Sequence, residues 1–129
     1  MEAKRHDRSF RISFPADLEY VLVARMALSG FGMVAGLEVD LIDDLRTVTD
    51  ECCDCLMHQM VLVEEFTVSA EIREQRIYCR FCAAHGKSPT GEPVMDREIT
   101  KCILETLLPE VQLHCDDNGV CCIEFSMPI

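Results

Sequence analysis

The sequence predicts an α+β domain, a two-layer α/β sandwich in which a mixed, mostly antiparallel five-stranded sheet carries three helices on one face. Three observations predict it. Five short segments alternate apolar and polar residues, and three longer ones repeat apolar residues at spacings of three and four. These segments follow the order strand, helix, helix, strand, strand, helix, strand, strand, with links of hairpin length. Of the 129 residues, 49% are apolar, enough to build a core and too many for a disordered chain. We expect a flexible start over 1–9 and one domain over 10–129.

Phe10, Ile12 and Phe14 alternate with Arg11 and Ser13, a half-buried strand ending at Pro15. Asp17 is placed to cap a helix from Leu18 to about Ala35, with Val21, Ala24, Leu28 and Phe31 inward. Gly30 and Gly32 weaken it, and Gly36 suits its end. The next helix spans about Glu38–His58. Its apolar stripe is Leu41, Leu45, Val48, Cys52 and Cys55 or Leu56, and Asp44, Glu51 and His58 form a polar stripe beside it. Phe66, Val68, Ala70 and Ile72 mark one strand, and Ile77, Cys79, Phe81 and Ala83 the next, with Arg73–Arg76 as a tight turn lacking the usual Gly or Asn. A polar loop is expected from His85 to about Val94. Asp96 then caps a helix to Leu108, with Ile99, Cys102 or Ile103, and Thr106 or Leu107 inward. Strands over Glu110–Cys115 and Val120–Met127 flank a hairpin turn at Asp116–Gly119.

Charge narrows the function. With 23 acidic and 12 basic residues the net charge is −11. That argues against direct nucleic-acid binding, which needs clustered Lys and Arg, and favours basic protein partners. The basic cluster Lys4–Arg11 is short and diluted by Asp7. No apolar run is long enough to span a bilayer or to follow the N-terminal charges as a secretory leader, so the expectation is a cytoplasmic protein with no membrane role. Nine cysteines, an odd number, then read as reduced and mostly buried packing residues.

The element order, together with Phe14–Tyr20, Arg25–Gly30, Ala35–Leu37, Asp43–Leu45, Asp50–Cys53, Leu104–Leu107 and Asn118–Gly119, resembles the anti-sigma factor kinases of the GHKL (histidine-kinase-like) ATPase superfamily. The resemblance covers residues 10–127 and is most specific in the first two helices. It implies a domain that uses ATP and magnesium to phosphorylate a serine of an anti-sigma antagonist, and that dimerises and contacts a sigma factor through its first helical region. Glu51 stands at the family's general base. At the family's magnesium-binding Asn stands Cys55, four residues on and on the same helix face. A thiol is a poor ligand for a hard cation. The family's adenine-reading Asp-x-Gly-x-Gly falls on Ala84-His85-Gly86, which keeps one glycine and loses the Asp. Its phosphate-facing glycines fall on Glu98 and Thr100, whose side chains fill space that phosphates need. The segment at the family's ATP lid is short. Gly86-Lys87-Ser88 ends like a P-loop, but Phe81 stands where its first glycine belongs.

These substitutions imply an anti-sigma-factor-like regulator with a lost ATP site, acting by binding a sigma factor or an anti-sigma antagonist. Arg25, Leu28 and Phe31 are the expected contact region, and a homodimer is compatible with the resemblance. Two alternatives stand beside it. One is an active serine kinase that uses Glu51 as its base, with ATP and magnesium. The other is a metal or redox sensor built on the cysteines. Its ligands would be Cys79, Cys82 and His85 with one of Cys52, Cys53 or Cys55, but two residues three apart on a strand face opposite sides, so no metal site is expected.

Overall fold

The computed structural model describes residues 8–89 and 96–129. The elements are β1 (Ser9–Pro15), α1 (Glu19–Ala35), α2 (Val39–Met57), β2 (Val61–Arg73), β3 (Arg76–Pro89), α3 (Arg97–Leu107), β4 (Val111–Asp116) and β5 (Gly119–Pro128). The strands form one open sheet in the order β1-β2-β3-β5-β4. Every pairing is antiparallel, so the parallel component anticipated by a mixed sheet is absent among the described strands. The α+β two-layer architecture is the predicted one.

Alternation decides which sheet face is covered. Phe14, Phe66, Val68, Ala70, Ile77, Cys79, Phe81, Ile123, Phe125 and Met127 share one core with the helices. Their neighbours along each strand face the other side, which none of the described helices covers. α2 lies between α1 and α3 and also touches β2, β3 and β5. Its buried face is broad: Ile42, Leu45, Val48, Thr49, Cys52, Cys53, Cys55 and Leu56. Gly32 lets α1 approach it, since a Cβ there would stand 3.0 Å from Leu37 Cδ1 and 3.5 Å from Leu45 Cδ2. Gly36 ends α1 at φ 90°, its N–H donating to the carbonyls of Gly32 and Met33.

Four expectations change. Asp17 does not cap α1 with its side chain; its backbone carbonyl accepts from Tyr20 N at 3.0 Å. Ser9 is not part of a loose start: it pairs with Glu71, and Arg8 O accepts from Ile72 N at 2.9 Å. The remainder of the expected flexible start and the first residues of the basic cluster lie outside the described residues. Third, β3 runs on through His85 to Pro89 and pairs with the start of β2, with register irregularities around Val63. The expected loop therefore contracts; residues 90–94 of it lie outside the described residues. Polar residues hid this extension, because both strands there lie near the sheet's end, where burial no longer enforces alternation. Last, α3 buries Thr100 and Leu104, with Ile103 and Leu107 half-buried, while Ile99, Cys102 and Thr106 are exposed. Asp96 caps it as expected, its Oδ1 accepting from Glu98 N at 2.8 Å.

The two hairpins treat positive φ differently. Asp116-Asp117-Asn118-Gly119 places it on the glycine, at φ 124°, and Asp116 Oδ1 accepts from Asn118 N at 2.8 Å. The β2–β3 turn places it on Glu74 (φ 48°) and Gln75 (φ 61°), two residues with a Cβ. Two consecutive left-handed residues define a type I′ turn, which prefers Asn-Gly. The double substitution Glu74→Asn, Gln75→Gly is expected to raise unfolding free energy by about 1–2 kcal/mol. Urea denaturation followed by circular dichroism checks this; an unchanged or lowered midpoint contradicts it.

Candidate functional site

The seam between α2 and α3 brings together two of the residues singled out by sequence, Cys55 and Thr100. Glu51 and Cys55 lie one turn apart on α2, as their spacing requires. Cys55 is 2% exposed and Thr100, from α3, is 0% exposed. The Cys55 thiol lies against the Thr100 hydroxyl; burial raises the thiol's pKa, with the Thr100 contact acting in the opposite direction. Thr100 Oγ1 has no well-aligned hydrogen-bond partner among the described residues. The two side chains thus fill the seam with protein.

The N-terminus of α3 is occupied as well. Asp96 takes the N–H of Glu98, and the exposed Glu98 carboxylate stands in the first turn. A helix N-terminus attracts anions through free N–H groups and its dipole. Here one donor is already engaged and two carboxylates repel an incoming phosphate. Ala84 and Gly86 both lie inside β3. Ala84 is exposed and pairs with Glu65. A Cβ on Gly86 would meet Glu64 Oε1 at 2.5 Å, so this glycine makes room for a protein carboxylate. The family resemblance implied that Glu51, Cys55, Ala84, Gly86, Glu98 and Thr100 line one site; the structure brings Cys55 and Thr100 together and leaves Ala84 exposed on a strand.

Glu51 remains accessible. Its carboxyl pKa is raised above 4.5, by partial desolvation first and then by Asp54 and Asp50. A carboxyl whose folded pKa is raised contributes stability below its unfolded pKa and loses it as pH rises through the folded value. Glu51→Gln is therefore expected to raise the urea midpoint at pH 7, with the gain vanishing in acid below about 4.5. A gain that persists in acid would point to packing instead.

The remaining cysteines of α2 are packing residues. Cys52 and Cys53 are fully buried, and burial raises both thiols, Cys53 to about 12. Cys79 also reaches about 12 through burial. Such thiols are poor nucleophiles and poor metal ligands at neutral pH. Cys79 faces the core, and Cys82 does not belong to it. No group of three or more His, Cys, Asp or Glu suited to a metal occurs among the described residues.

A concavity lies elsewhere, on the uncovered sheet face. It has a volume of about 750 Å³ and is lined by residues including Arg11, Ser69, Tyr78, Arg80, Gln112 and Glu124. Its charges are largely paired within the sheet: Arg73 Nε lies 2.8 Å from Glu71 Oε1, and Arg80 Nε lies 3.2 Å from Glu124 Oε1. A shallower groove of about 510 Å³ runs beside α3 and β4 and includes Glu98, Lys101 and His114. Neither contains Glu51, Cys55 or Thr100.

Helix α1 carries a surface that the sequence reading missed. Leu18, Leu22 and Met26 are exposed by 56–68%, and Met33 and Val34 by 59% and 71%. Val23 is 42% exposed beside them. Gly30 lies in the same arc with open space around it. The expected contact residues are placed differently. Leu28 is fully buried, Phe31 is half-buried with its ring 5.0 Å from that of Phe10, and Arg25 is paired with Asp50 at 2.8 Å. One signal was available: the four-residue recurrence Leu18, Leu22, Met26 runs parallel to the inward stripe. α1 is apolar nearly all round, and its charged residues are Glu19 and Arg25.

No protein-family profile matches the chain, and a search of curated proteins returns no match.

Proposed function

We propose that this protein is a non-catalytic, anti-sigma-factor-like regulator that binds a partner protein through the outer face of α1. The observation that carries the reading is the exposed stripe Leu18, Leu22, Val23, Met26, Met33 and Val34. Six apolar side chains, each more than two-fifths exposed along one arc of a helix, make a contiguous apolar surface of the kind that marks a protein interaction site. The partner is a sigma factor or an anti-sigma antagonist in the cytoplasm. The net charge of −11 favours a basic rim around its apolar contact. ATP is no cofactor in this reading, which draws support from the closed Cys55–Thr100 seam and the carboxylates at the start of α3.

The test has two arms. Titration calorimetry with magnesium–ATP is expected to show no binding. Capture of sigma factors and antagonists from the native host is expected to succeed with the wild-type protein and to fall at least tenfold, about 1.4 kcal/mol, with Met26→Asp. Micromolar ATP affinity, or capture unaffected by Met26→Asp, overturns the proposal.

A kinase remains a second reading because of Glu51 alone. Its accessibility and raised carboxyl pKa suit a general base. ATP-dependent phosphorylation of the captured partner, abolished by Glu51→Gln, would establish it.

A further inference from the structure

The uncovered sheet face sets one cysteine directly against another. Cys82 of β3 is the register partner of Cys122 of β5. Among the described strand pairings, no other places cysteine opposite cysteine. Directly opposed residues of an antiparallel pair have Cα atoms about 4.5–5.5 Å apart. A disulfide needs about 4.4–6.8 Å. The backbone therefore already holds these residues at bonding separation, in the last pair of the ladder between two strands that each have a neighbour on both sides.

Their surroundings differ in a useful way. Cys82 is half-buried and reachable from solvent, whereas Cys122 is 8% exposed. Arg80 Nη2 donates to Cys122 Sγ at 3.6 Å, and Arg80 Nε pairs with Glu124. A guanidinium against sulfur stabilises the thiolate that exchange chemistry requires. Burial and the neighbouring Cys82 raise the Cys122 thiol's pKa while Arg80 lowers it, which suits a group that reacts second.

We propose that Cys82 and Cys122 form a reversible regulatory disulfide, with Cys82 the attacking thiol and Cys122 the resolving one. The co-reactant is a low-molecular-weight disulfide. Cys82 loses its proton and attacks one sulfur of that disulfide, forming a mixed disulfide and expelling one thiolate. Cys122 then loses its proton beside Arg80 and attacks Cys82 Sγ. The new bond joins the two protein sulfurs, and the second thiolate leaves. Two electrons pass to the small disulfide, and the two protons end on its two thiol products. The bond ties β3 to β5 next to the groove lined by Arg80 and Glu124.

The folded protein is equilibrated with mixtures of oxidised and reduced glutathione, quenched in acid, alkylated and mapped by mass spectrometry. The expected product has lost two hydrogens, yields one linked peptide pair joining Cys82 to Cys122, and reverts with reduced glutathione. Cys122→Ser is expected to stop at a glutathione adduct on Cys82. Cys102→Ser and Cys115→Ser leave the link intact, because Cys102 lies on a helix and Cys115 is opposed by Val120, not by a cysteine. When the same oxidation is run on the chain unfolded in urea, a mixture of pairings is expected in place of the single link. Three results would overturn the proposal: a dominant link between other cysteines, a Cys82 that stays fully alkylatable at every ratio, or oxidation that ends at the glutathione adduct in the wild-type protein.

Discussion

Replacing Phe66 with alanine is expected to lower the unfolding free energy by about 3–5 kcal/mol, a large share of the about 5–15 kcal/mol that holds a domain folded. Phe66 is 1% exposed in the interior of β2. It is the register partner of Phe14 on one side and Ala83 on the other. Its ring centroid lies 4.7 Å from that of Phe14, which in turn stacks on Tyr20 at 6.0 Å. The ring therefore joins the β1 edge of the sheet to the entry of α1. Truncation removes its transfer free energy and leaves a cavity, because strands paired on both sides cannot collapse into the gap. Urea denaturation read by circular dichroism tests it, and the slope should stay unchanged while the midpoint falls. A loss under about 1 kcal/mol contradicts the close-packed account.

The second large effect is expected at Gln59, a polar side chain only 6% exposed. Gln59 Nε2 donates to the carbonyls of Leu56 at 3.0 Å and Val120 at 2.9 Å, and its Oε1 accepts from Val120 N at 2.8 Å. The amide thus acts as a piece of backbone, binding the end of α2 to the start of β5. It does so beside an irregularity in the β4–β5 ladder, where Val120 needs partners outside the sheet. A Cβ on Gly119 would collide with Gln59 Oε1, so the glycine serves this contact as well as the turn. Gln59→Ala strands buried backbone groups and is expected to cost about 2–4 kcal/mol. Gln59→Glu keeps the shape but turns a carboxylate oxygen toward two carbonyls. That raises its pKa, so its stability deficit is smallest in acid and grows as pH rises. If Gln59→Ala denatures like the wild type, water replaces the side chain and the bridge has no net worth.

Much of this architecture was legible in the sequence because period and punctuation are local. The four-and-three stripe of α2, the alternation through Phe66–Ala70 and Ile77–Phe81, Gly36 ending α1 and Asp96 starting α3 each follow from a few neighbouring residues. The errors fell where local pattern is silent. Ile99 and Thr100 are adjacent and both fit a helical face; only the position of α2 decides that Thr100 turns inward. His85–Pro89 reads as a polar loop until the start of β2 lies beside it. Gln59 carries no motif at all, and its role exists only because β5 returns 61 residues later.

The candidate site divides along the same line. Residue identity alone determined that a thiol at Cys55 is a poorer ligand for a hard cation than an oxygen, and that the chain is too acidic to favour nucleic acid. Those are properties of side-chain chemistry and survive any fold. Only the tertiary structure decided that Cys55 and Thr100 close on each other, that Leu28 is core while Leu22 and Met26 face outward, and that Cys82 meets Cys122 across a ladder. Each of these depends on which elements become neighbours. Helix period gives two possible faces for a helix as apolar as α1, and strand period gives two sides for every cysteine, but burial against a particular partner selects between them.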